Sequence, residues 1–72
     1  MDREAEVLEI FSRNISLKEK MHLLEDLELD LYNEMEAQQE NMHPDIHNKM
    51  SQALMLVSNL LRELRALHEK MP

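Results

Sequence analysis

From Ile46 onward, the apolar residues fall at Ile46, Met50, Ala53, Val57, Leu60, Leu64, Leu67 and Met71. The steps alternate between four and three, which is the repeat of a helix laid lengthwise against another helix, as in a coiled coil. Position a of this repeat holds Met50, Val57, Leu64 and Met71, and position d holds Ile46, Ala53, Leu60 and Leu67. A second stripe runs through Leu17, Met21, Leu24, Leu27, Leu31 and Met35, and a shorter one through Val7, Leu8, Phe11 and Ile15. The pattern predicts an all-α chain of one domain, residues 1–72, with helices over 3–13, 17–41 and 44–70.

Local signals set the boundaries of these segments. Asp2 is a candidate N-cap for the first helix, and the acids in its first turn suit the helix dipole. Ser16 followed by Glu19 forms a capping box with Ile15 just outside it, so the second helix starts at Leu17. Pro44 disfavours helical geometry at His43 and fits the first position of a new helix. A connection this short folds the second and third helices into an antiparallel hairpin. The architecture expected is therefore an antiparallel helical hairpin with a short N-terminal helix.

The hairpin seam does not use all the apolar surface. Leu54 and Leu61 flank it, Met55 and Leu56 lie off it, and residues 53–57 are apolar nearly all round. On the second helix, Leu29 and Tyr32 cannot share the face of Leu24 and Leu31. The surplus must meet the first helix, a second copy or another protein. Burying four such side chains is worth about 6–12 kcal/mol in transfer terms. Six residues are therefore candidates for partner binding: Leu29, Tyr32, Leu54, Met55, Leu56 and Leu61. Whether the first helix packs on the hairpin is left open by the pattern.

Composition narrows the remaining possibilities. The 72 residues contain no cysteine, so neither a disulfide nor a thiolate metal site supplements the limited core of so short a chain. There is no glycine, which excludes phosphate-cradling loops and dinucleotide fingerprints. The apolar positions are mainly leucine, with seven methionines that give an adaptable surface suited to protein contacts. The net charge of −7 argues against nucleic acid and anionic membrane surfaces as partners. Residues 1–40 hold 12 acids against 4 bases, and residues 41–72 hold 3 against 4. Pairing two copies of the acidic half is therefore penalised. No apolar run approaches the ~20 residues of a membrane span. The opening residues lack the basic-then-apolar layout of a secretion leader, so a cytoplasmic location is expected.

Candidate chemistry is sparse. His43 and His47 stand four apart near Asp45 and Glu40, but no third ligand follows at a suitable spacing, and the expectation is solvated turn histidines with no metal. The carboxylates from Glu25 to Glu36 have no concave, partly dry pocket to work in on a helical hairpin. Serines 12, 16, 51 and 58 lack a histidine and orienting acid at a suitable spacing. Arg62, Arg65 and Lys70 read as cations at a helix C-terminus, facing the acidic second helix. No enzyme activity and no cofactor are expected.

The stretch Leu24 to Met35, the turn, and the stretch Ile46 to Leu61 together resemble the small co-chaperones of type III secretion needle subunits. The likeness is one of apolar spacing around a short turn. Where such proteins tend to place glycine at the turn, this chain has His43-Pro44-Asp45. The resemblance implies a non-enzymatic bacterial protein that pairs with a helical-repeat chaperone and keeps the polymerising needle subunit soluble before export. Two other functions fit the same composition. One is a small acidic regulatory inhibitor or antitoxin-like adaptor, and the other is a homo-oligomeric helical bundle.

Overall fold

A computed structural model of the chain describes residues 3–38 and 43–70, apart from the side chain of Gln38. It contains three helices, α1 (Arg3–Phe11), α2 (Leu17–Gln38) and α3 (Pro44–Lys70), and the fold is all-α. Asp2, Glu40, Met71 and the expected last turn of the second helix lie outside the described residues.

Each described boundary has a local cause. The first helix ends at Phe11, two residues earlier than the pattern predicts. Ser12 Oγ donates to the Glu9 carbonyl at 2.9 Å, and the N–H of Arg13 reaches only to the carbonyl of Ile10 at 3.2 Å. Such an i−3 bond tightens and closes the last turn. Arg13 then folds back on Glu9, donating from Nε and Nη2 at 2.9 Å each, and this guanidinium holds the Glu9 carboxyl below its ordinary pKa. The second helix starts as its capping box requires: the N–H of Glu19 donates to Ser16 Oγ at 3.1 Å. At the start of α3, His43 is the cap. Its Nδ1 accepts the N–H of Asp45 at 3.3 Å, and its carbonyl accepts the N–H of His47 at 3.0 Å.

Cross-helix pairs fix the hairpin. Ser58 Oγ donates to Glu28 Oε2 at 2.6 Å, and Arg65 lies 3.7 Å from Glu25. The later residue on α3 meets the earlier one on α2, so the two helices are antiparallel. A helix of 27 residues runs about 40 Å, in keeping with a molecule of 47 × 19 × 14 Å.

The first helix folds back onto the hairpin and packs against both long helices, more extensively against α3. It runs antiparallel to α2. Arg3 at its start bonds Glu34 and, at 2.8 Å, Glu6, while Phe11 at its end lies under the Lys20 ammonium, 5.2 Å from the ring centre. The core draws Val7 and Ile10 from α1, Leu24, Leu27 and Leu31 from α2, and Met50, Ala53, Val57, Leu61 and Leu64 from α3. No polar or charged side chain among the described residues is buried.

Two expectations about faces need correction. On α1 Ile10 turns inward beside Val7, while Leu8 is exposed. On α3 Leu61 is fully buried, and Leu60 is only half-buried. The α3 error has a geometric cause: a heptad advances 3.5 residues per turn and a straight helix 3.6, a drift of about 20° per heptad. Counted from Met50 at about 3.6 per turn, the inward row passes between Ala53 and Leu54 and then through Val57, Leu61 and Leu64. Ile46 and Leu67, the outermost described members of the predicted seam, are exposed. The nine-residue α1, about 14 Å long, is far shorter than α3.

Candidate interaction surface

The helical period divides the flanks of the α2–α3 hairpin into two sides. One side carries α1. At its turn end, Arg3 and Glu4 of α1 share a groove with Glu34 of α2 and with Ile46, Lys49 and Met50 of α3. The opposite groove, at the same end, is lined by Tyr32, Met35 and Glu36 of α2 and His47 and Leu54 of α3, with no residue of α1. Farther from the turn this second side becomes polar, where Glu28, Ser58, Arg62 and Arg65 line it together. The hairpin therefore has one covered side and one open side, and the open side is apolar only near the turn.

The six residues singled out from the sequence have separate positions. Tyr32 and Leu54 meet across the open groove, Tyr32 exposed at 57% and Leu54 half-buried against the core. Leu29 stands one turn before Tyr32 on α2, and Met55 follows Leu54 on α3; they are 61% and 66% exposed. Both lie farther round their helices than the groove residues, toward solvent. Leu56 is half-buried and packs on the core. Leu61 is the clear correction: it has no accessible surface and belongs to the core, because the true helical period turns it inward. Met35 and His47 also line the groove and are not among the six: apolar spacing alone puts Met35 in the hairpin seam, and His47 reaches the groove edge while staying exposed, as its sequence setting predicts.

The electrostatics follow the acidic character of α2. Glu36 on the groove rim has no hydrogen-bonding or ion-pairing partner among the described residues, and the same is true of Asp26 and Asp30 on the outer face. Glu25 and Glu28 are engaged by Arg65 and Ser58. Arg3, held between two carboxylates, has its pKa raised, chiefly by the hydrogen bond it donates to Glu6 and then by the one it donates to Glu34. Among the described residues no three histidine, aspartate or glutamate side chains gather as a metal ion would need. His43 Nδ1 instead serves α3 as a cap, with the Asp45 carboxylate 3.6 Å away. No described helix is long and apolar enough to cross a membrane.

No protein family matches the chain, and neither does any curated protein or solved structure. The class it belongs to is set by its geometry: a three-helix bundle whose short first helix fills one groove of a long hairpin and leaves the other open.

Proposed function

We propose that the protein is a non-enzymatic interaction subunit that engages another protein through the open side of its hairpin. In its most specific form it is a co-chaperone of a type III secretion system. There it pairs in the bacterial cytosol with a helical-repeat chaperone and keeps the needle subunit soluble until export. The supporting observation is the apolar groove of Tyr32, Met35 and Leu54, with Leu29 and Met55 exposed beside it. In a bundle that buries no polar side chain among its described residues, this is apolar surface left over after the core is complete.

The test is affinity purification of the tagged protein from its host, followed by reconstitution with the recovered chains. A helical-repeat protein together with a small secreted subunit is the expected result, with a complex stable to gel filtration. Leu54→Glu and Tyr32→Glu should each abolish that complex and leave the far-ultraviolet helical signal unchanged. Survival of the complex in both variants would remove the open groove from the interface. An acidic inhibitor, the alternative, would bind mainly through charge, and its affinity would collapse between low and moderate salt.

A further inference from the structure

The way α1 sits on the hairpin is a template for what the vacant groove accepts. It lays an aliphatic pair, Val7 and Ile10, into the core and turns a cation, Arg3, onto a glutamate at the edge of α2, Glu34. The opposite groove presents the same ingredients without an occupant among the described residues. Its floor is apolar, from Tyr32, Met35 and Leu54, and Glu36 on its α2 edge has no cationic partner among the described residues. A groove between two antiparallel helices is shaped to take a third helix lengthwise.

Resting on the reading of the open side as an interface, we propose that its occupant is a single amphipathic helix of another protein. Its apolar stripe is flanked by lysine or arginine, and it completes a four-helix arrangement opposite α1. A second copy of this chain is the poorer fit. Groove-to-groove pairing would bring two α2 helices together, and residues 1–40 already carry 12 acids against 4 bases. Like charges brought into apposition oppose association, whereas basic flanks meet Glu36 and the acidic outer face of α2 favourably.

The test uses the full chain and two designed 18-residue helical peptides with identical leucine positions at i, i+3, i+4, i+7 and i+11. One is flanked by lysine and arginine, the other by glutamate. The basic peptide should bind saturably, with amide shifts at Tyr32, His47 and Leu54 and none at Val7 or Ile10. Glu36→Lys should weaken it several-fold, and Leu54→Glu should abolish binding while the helical signal persists. Equal binding of both peptides in the groove would overturn the charge requirement and leave the interface reading intact. Shifts confined to the α1 side or the outer face of α2 would overturn the groove as the seat. A concentration-dependent dimer lost in Leu54→Glu would assign the groove to a second copy. If neither peptide binds while the recovered partners still assemble through Leu54, the interface stands and the helical occupant fails.

Discussion

Leu61 has no accessible surface, and its neighbour Leu60, one position earlier, keeps part of its own. A leucine that is wholly enclosed loses both its transfer energy and its packing when truncated, because the surroundings collapse only partly. Leu61→Ala should therefore lower unfolding stability by about 2–5 kcal/mol, while Leu60→Ala should cost about 1 kcal/mol. Urea melts of the two variants, with unchanged slope, check the order; a larger loss at Leu60 would restore the strict heptad seam. This is also the scale at which the sequence is hardest to read. A repeat of fours and threes identifies the buried face to within one residue, but Leu60 and Leu61 are both leucine, and only the pitch of the helix decides between them. Likewise Leu8 and Ile10 are two positions apart on α1, and the placement of α1 against its neighbours determines which is enclosed. Among the six candidate contact residues, Tyr32 and Leu54 meet across one groove, while Leu61, predicted from the same surplus, is part of the core.

The elements themselves are legible because their ends depend on residues a few positions apart. The Ser16 cap and the proline at the head of α3 act within one turn, and both appear where the sequence places them. Apolar spacing sets the end of α1 two residues too late, because it does not register that Ser12 and Arg13 bond back to Glu9 and Ile10. At nine residues α1 is below the length at which an isolated helix holds in water, so tertiary contacts must keep it formed. Those contacts are Val7 and Ile10 in the core, the Arg3 clasp and the Lys20–Phe11 stack. Such a segment opens before the rest of the molecule. Amides of residues 7–11 should exchange through an opening at least 1–2 kcal/mol easier than those of residues 27–31 or 57–61. Arg3 and Glu34 are partly exposed, so the clasp is worth only about 1 kcal/mol, and Arg3→Ala should speed exchange in α1 about fivefold without moving α2 or α3. Equal protection in all three helices would mean that α1 unfolds only with the whole bundle.

At the scale of the whole molecule, two acidic helices lie side by side on a third that is close to neutral. Composition gives the charge of each segment, but nothing in the apolar pattern requires α1 to fold back beside α2, and that packing turns a lopsided sequence into a self-repelling structure. Two ion pairs that cross this packing, Arg3 with Glu34 and Arg65 with Glu25, are partly exposed, so each contributes little. Against them stand Asp26, Asp30 and Glu36, which have no cationic partner among the described residues. The core, by contrast, is entirely apolar and insensitive to screening. Raising the ionic strength should therefore stabilise the fold, because it screens more repulsion than attraction. The expected result is a melting temperature that climbs by several degrees between about 10 mM and 0.3 M sodium chloride, where the Debye length falls from about 30 Å to below 10 Å. A melting temperature that fell over the same range would mean that the ion pairs outweigh the net charge. The same screening would weaken a basic helix in the open groove, so salt should move stability and partner affinity in opposite directions.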